Sequence, residues 1–220
     1  MIRTRGIVAI GLGALSLAGC GVFQGGPQAP MVRPAAFTAL GVSAAYLNSD
    51  IISGTRARAA KMRAAGIRPL SPAAAPSYMA RAAQELRQQT AGIGIDVVQL
   101  PDGVLVRVPA AMTFDAGSAA IKPQIDATLT EVARTLKNYN QTYIDVLAHT
   151  DTSGTPAGNL ALSQKRAAAA AAFLGGRGVS KARIASRGLG ETATLYPLES
   201  DETQKAANRR LELRLVPYRG

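Results

Sequence analysis

Tryptophan is absent from the 220 residues, aromatic residues make up only 5%, and there is a single cysteine and a single histidine. One thiol cannot close an intramolecular disulfide, so it is free, joined to another chain, or modified. One histidine with no second ligand at metal spacing points to a hydrogen-bonded structural residue, and no metal site is expected. Acidic residues are also scarce, 14 against 25 basic, for a formal charge of +11. Such a balance suggests an anionic partner such as nucleic acid, phospholipid or an acidic wall polymer, because summed charge governs association rather than fold. With 47% hydrophobic residues the chain has apolar material for one or two domains, which excludes a wholly disordered or collagenous chain. The core must rest on Leu, Ile, Val and Ala.

No apolar run approaches the roughly 18 to 20 residues of a spanning helix. The N-terminal stretch instead shows a basic start at Arg3 and Arg5, a short uncharged run from Gly6, then small residues, the order of a secretory signal peptide. It ends at the sole cysteine, and Leu17-Ala18-Gly19-Cys20 resembles the bacterial lipobox. There the thiol receives diacylglycerol and cleavage leaves Cys20 as an acylated first residue. Cys20 would then be the lipidation site and membrane attachment, and no cofactor is implied beyond that covalent lipid. An exported chain does not meet the genome, so nucleic acid falls away as a partner. Gly21 is not the Asp of the best-known inner-membrane retention rule, so the resemblance favours the outer membrane, with the rest of the chain facing the periplasm.

Residues 20–35 carry Pro27, Pro30 and Pro34 with Gly25 and Gly26 and no period, the composition of a flexible tether. Residues 36–93 form an Ala-rich helical region, with one helix expected over 36–66 and a second over 77–89. From about 94 the pattern turns to strands. Two β-branched runs, 95–100 and 104–108, flank Pro101-Asp102-Gly103 and predict a hairpin. Ile125, Leu129, Val132, Ala133 and Leu136 predict a helix begun near Pro123. Alternation around Ile144, Val146 and Ala148 predicts a third strand, 160–174 a helix closed by Gly175-Gly176, and Leu211, Leu213 and Leu215 a final strand. Leu162, Phe173 and Leu174 are expected in the core. The expected fold is α/β of the α+β kind, a mixed β-sheet covered by helices on one face, in a domain spanning 94–220.

Four clusters stand in this region: Met112-Thr-Phe-Asp-Ala-Gly-Ser118, His149-Thr-Asp-Thr-Ser-Gly154, Asn159-Leu-Ala-Leu-Ser-Gln-Lys-Arg-Ala167 and Asn208-Arg-Arg-Leu-Glu-Leu213, with Gly188-Leu-Gly-Glu191 between the last two. In this order they resemble the OmpA-like peptidoglycan-binding family, and the peptidoglycan-associated lipoprotein type within it, over about residues 95–217. Asp151 follows a strand, and Arg166 lies two turns into the next helix on its reachable face, so opposite charges can face one crevice. Diaminopimelate ends in an ammonium and a carboxylate on one carbon, which such a pair matches as a dipole. A guanidinium suits the carboxylate because its planar fork bonds bidentately. The resemblance implies that Asp151 takes the ammonium and Arg166 the carboxylate, with Asn159, Thr150, Asp115 and Asn208 at the rim.

Plainer roles compete. Asp151 and Arg166 could form an ordinary surface salt bridge worth about 0 to 1 kcal/mol. Asn159 suits a helix N-cap as well as a ligand contact, and Asn208 and Arg209 could tie the last strand to the neighbouring loop. Asp145, His149, Asp151 and Ser153 could be drawn as a hydrolase set, but while Asp145 and His149 share a strand face, Ser153 lies beyond it in a loop and no nucleophile elbow is present, so no catalytic residue is assigned. An uncleaved inner-membrane anchor, as in stator proteins that hold a motor to the wall, is a further alternative, which Cys20 opposes. Residues 36–93 could contact other envelope proteins, and residues 36–90 could form an assembly or pore segment.

Overall fold

The computed structural model describes residues 55–219. Cys20, the expected signal peptide, the expected tether and the first part of the helix expected over 36–66 lie outside them. Helix α1 (Thr55–Ala64) is followed by α2 (Ala75–Thr90), strands β1 (Asp96–Leu100) and β2 (Gly103–Pro109), and the single turn α3 (Ala110–Thr113). A 3-10 turn (Pro123–Ile125) leads into α4 (Asp126–Asn138), then come β3 (Thr142–His149), α5 (Pro156–Gly176), β4 (Ile184–Gly190), α6 (Glu202–Asn208) and β5 (Arg210–Pro217).

Among the described residues the sheet has five strands in the order β1-β2-β5-β3-β4. All neighbours are antiparallel except β3 and β4, which run parallel with α5 between them. The sheet is mixed, as expected. The hairpin closes at Leu100 opposite Gly103, so its loop is Pro101-Asp102. Strand β4 is additional to the strands the sequence predicts: its sequence IASRGLG has two glycines and no apolar alternation, so it lacks the period-two signal that marks the other strands. Helix α5 begins four residues before the expected 160, because the Thr155 side chain caps it by accepting from the Gly158 N–H and Pro156 occupies the first turn.

One face of the sheet carries Val104, Val106, Val108, Ile144, Val146, Leu211, Leu213 and Leu215, which pack with Leu86 of α2, Leu129, Val132 and Leu136 of α4, and Leu174 of α5. Each such side chain contributes about 1.5 to 3 kcal/mol when fully buried. Leu174 is in this core, whereas Phe173 is only partly buried and Leu162 lines a surface crevice. The boundary expected at 94 does not match the packing, since Met79, Ala83 and Leu86 belong to the same core as the sheet.

The second face of the sheet is charged yet buried. Arg107 stands opposite Glu212, and Asp145 opposite Arg214. Helix α1 lies on this side: Arg58 donates to Asp145 at 2.7 Å and stacks over Tyr143, while Met62 packs with Tyr143 and Tyr218. Glu212 is fully buried between Arg210 (2.8 Å), His149 (3.3 Å) and Arg107 (3.6 Å). Its burial would raise its pKa, but Arg210 above all, with His149 and Arg107, holds it well below the usual carboxylate range. His149 is pushed down to about 4 by its own burial and by Arg210, so it is neutral at pH 7 and donates to Glu212 through Nε2–H.

Candidate functional site

The chain leaves β3 at His149, and β5 enters beside it at Arg210. The segment between β3 and α5, the first turns of α5 and the 110–122 segment enclose a crevice of about 620 Å³ at this end of the sheet. Asp151, Arg166, Asn159, Thr150 and Asp115 all line it, together with Arg209 and Phe114.

Two glycines bring α5 close enough to form it. A Cβ on Gly188 would lie 2.1 Å from the Gln164 nitrogen, so only glycine lets the β4 backbone meet the helix backbone here. Gly190 has φ of +53°, and its N–H donates to Ser163 Oγ at 2.9 Å. The Thr150 N–H in turn donates to the Gly190 carbonyl at 2.9 Å, which holds the start of the Asp151 loop against β4.

Asp151 is nearly buried. Its Oδ1 accepts from the Ser153 N–H at 3.1 Å and its Oδ2 from Arg209 Nη1 at 2.5 Å. Arg209 is braced from behind by Glu202. Arg166 reaches the crevice from about three turns into α5. Its Nε donates to the Ser118 carbonyl at 2.8 Å, its Nη2 to the Asp115 carbonyl at 3.1 Å, and its Cζ lies 5.1 Å from the Phe114 ring centroid. Burial and the nearby Arg209 lower its pKa while Asp151 opposes them, and an arginine stays charged under those conditions. Asp151 and Arg166 are therefore not a salt bridge with each other. The carboxylate pairs with Arg209, and the Arg166 guanidinium is held by carbonyls and a ring, which leaves Nη1 without a hydrogen bond among the described residues.

The other expected residues divide. Asn159 lies inside α5, not at its N-cap, and its Nδ2 donates toward the Asp151 and Ser153 carbonyls and to Glu191 Oε2 (2.6 Å), latching the loop that carries Asp151. Thr150 lines the wall, with its Oγ1 buried and without a hydrogen-bond partner among the described residues. Asp115 sits at the rim with its carboxylate largely exposed and paired with Lys122 at 3.4 Å; its backbone carbonyl holds Arg166. Asn208 does not line the crevice. It is fully buried, accepting from the Leu195 and Tyr196 N–H groups and donating to the Tyr196 carbonyl and Glu199, so its amide ties down the 195–199 loop. Arg209, expected only as a tie, faces the site; continuing the β5 alternation one residue backward would have separated it from inward-facing Arg210. The hydrolase set is not assembled, since Asp145 and His149 lie on the charged face with Arg58 and Glu212 while Asp151 lies in the crevice.

The chain is similar to known proteins in sequence and in fold. The family model described as OmpA family matches residues 113–210. The chain is 39% identical over 142 residues to the Escherichia coli (strain K12) protein described as "Probable lipoprotein YiaD", covering 64% of each. It is 31% identical over 134 residues to outer membrane protein A of Bordetella avium, covering 57% of this chain and 68% of that one. It is 36% identical over 105 residues to the peptidoglycan-associated lipoprotein of Brucella melitensis biotype 1, covering 48% of this chain and 62% of that one. The chain thus spans a little under two thirds of YiaD's length. In three dimensions it resembles the crystal structure of a putative MotB like protein from Desulfovibrio vulgaris, with a TM-score of 0.58 at 23% identity, covering 64% of this chain and 95% of that one. The strand order, the motif residues gathered at one crevice and these likenesses make the chain a member of the OmpA family.

Proposed function

We propose that this chain is an envelope lipoprotein that binds peptidoglycan non-covalently, holding the stem peptide in the crevice and linking the outer membrane to the wall. The observation that carries this is the crevice's pair of opposite charges, Asp151 and Arg166, each fixed by other groups and neither neutralising the other. A diaminopimelate-type side chain presents an ammonium and a carboxylate on one carbon. The ammonium meets Asp151, shared with Arg209, and the carboxylate meets Arg166, whose Nη1 is the donor its other bonds leave over. The site binds and does no chemistry: its charged groups are two guanidiniums and two carboxylates with Lys122, and the buried histidine faces away.

The matching relatives named as a lipoprotein and a peptidoglycan-associated lipoprotein support both halves of this proposal. Cys20 after Leu17-Ala18-Gly19 favours a lipid anchor over a spanning one. Several buried acyl chains, at about 0.8 kcal/mol per methylene, give stable attachment. Retention on purified sacculi at high salt tests the wall-binding half. Wild type should be retained and Arg166→Ala released, whereas equal retention of both would refute the site. An unmodified mature N-terminus by mass spectrometry of the membrane-extracted chain would refute the anchor.

A further inference from the structure

The charge of the domain is polarised along the sheet. At the crevice end Asp115, Asp151, Glu191, Glu199, Asp201 and Glu202 offset the cations Lys122, Arg166, Lys205 and Arg209, so that end is close to neutral. The other end is closed by α1 and the segment after it, by the α4–β3 and α5–β4 connections and by the end of β5. These are joined where the Gln141 amide donates to the Arg68 carbonyl, the Leu70 N–H to the Tyr218 carbonyl, and Arg183 to the Leu136 carbonyl. Residues 55–71, 136–143, 175–185 and 216–219, which build most of this end, contain no Asp or Glu, and Asp102 in the β1–β2 turn at the same end is paired with buried Arg214 at 3.2 Å. Arg56, Lys61, Arg63 and Arg68 are exposed on α1 and its continuation, and Lys137, Lys181 and Arg219 are exposed beside them. Among the described residues none of these seven makes an ion pair; the inward Arg58 and the nearby Arg177 take Asp145 and Asp126 instead. Between the exposed cations α1 shows solvent only small side chains, Ala57, Ala60 and Ala64. Strand β3, eight residues and about 26 Å long, separates the two ends.

We propose that this cationic end docks on an anionic phospholipid surface, so that the crevice at the opposite end of the sheet faces away from the membrane. The inference rests on the acylation of Cys20, which keeps the bilayer within reach. Thirty-six positions separate Cys20 from Arg56, and the cationic end is where the chain enters the domain. A lipid anchor raises the local concentration of the bilayer, so a weak polybasic contact becomes an effectively intramolecular one. A wall polymer is already engaged, in this reading, at the crevice, which leaves the bilayer held close by the anchor as the anionic surface for this end. Each cation at an anionic membrane surface is worth about fivefold in partition, and the contact fades within a Debye length.

The test uses the chain from residue 20 with Cys20→Ser, so that no acyl group contributes. It is floated with vesicles of zwitterionic lipid alone and with vesicles containing about one third phosphatidylglycerol, at low and high salt. We expect binding to the anionic vesicles only, lost at high salt. Combined Arg56→Glu, Lys61→Glu, Arg63→Glu and Arg68→Glu should lower it by about a hundredfold or more while leaving high-salt sacculus retention unchanged. The matching four-residue Gln variant, weaker in effect, checks that the loss follows charge, and both variants must melt as wild type does; if the Glu set unfolds, the Gln set carries the test. Vesicle binding indifferent to anionic lipid or to these substitutions overturns the proposal. So does loss of sacculus retention with vesicle binding intact, which would assign the cations to the wall polymer. An unacylated Cys20 would overturn the anchor while leaving the vesicle result to stand by itself.

Discussion

Replacing Asp151 by Asn keeps the size of the side chain and an oxygen for the Ser153 N–H, but removes the negative charge between two guanidiniums. The stability cost should be small. Arg209 is about a third exposed and retains Glu202, so the lost ion pair is worth about 1 kcal/mol, slightly above an exposed pair, and lowers Tm by about 2 to 4 °C. The cost in binding should be larger. An incoming ammonium would meet no carboxylate and would face Arg166 and Arg209 unshielded. Removing one partner of a desolvated charge pair costs about 2 to 5 kcal/mol, and the crevice is open to water on one side, so the lower end applies, roughly thirtyfold in affinity. Titration calorimetry with a soluble muropeptide whose diaminopimelate amine is free, and again with that amine acetylated, completes a double-mutant cycle. Wild type should lose about thirtyfold on acetylation and Asp151→Asn little more. If Asp151→Asn binds the free-amine peptide within about twofold of wild type, or if acetylation costs both proteins equally, the carboxylate does not meet the ammonium.

Gly188→Ala drives a methyl into the Gln164 backbone and should destabilise by about 3 kcal/mol or more in urea titration, with wall binding falling as α5 carries Arg166 outward; an unchanged midpoint would show that helix and strand can part freely. Because His149 is lowered to about 4 by burial, its neutral form stabilises the fold above its unfolded value of about 6.5, and that contribution is lost as pH falls toward 4. Wild type should therefore lose about 2 kcal/mol between about pH 7 and pH 5 through this group, and His149→Asn less; equal losses would clear His149 of the effect. A fragment starting at 94 should be less stable than one starting at 55 by about 5 kcal/mol or more, because it forfeits Met79 and Leu86 from the core and Arg58 from buried Asp145. Matching melting curves for the two fragments would contradict this.

The parts of the fold legible in the sequence are those whose physics is local and periodic. Val104, Val106 and Val108, or Leu211, Leu213 and Leu215, alternate because one face of their strand meets helices. Strand β4 escapes because its requirement is close approach: Gly188 has no side chain to pattern. The start of α5 is not legible from the apolar repeat because Thr155-Pro156 signals a cap through two residues outside it. At the site, Asp151 and Arg166 could be named from their places after a strand and on a helix. What holds them could not, since Arg166 is fixed by backbone carbonyls of Ser118 and Asp115, some fifty residues away, whose identity leaves no mark on the sequence. Asn208 sits in a recognisable motif, yet its amide is fully engaged by the loop at 195–199.

The charged face of the sheet has a consequence for how β5 finds its partners. Its apolar side is Leu211, Leu213 and Leu215, the same residue three times, so sliding the strand by two positions would leave the core face chemically almost unchanged. Hydrophobic patterning alone therefore tolerates that error. The opposite side reads Arg210, Glu212, Arg214, with the sign reversing at each step. In the native register Arg107 meets Glu212 and Asp145 meets Arg214. After a two-residue slide Arg107 would meet Arg210 or Arg214, and a slide in one direction would set Asp145 against Glu212, in places sealed from water where like charges are most costly. The alternating row works as a written check on alignment: the leucines hold the strand in the sheet, and the charges specify where along its neighbours it must stop.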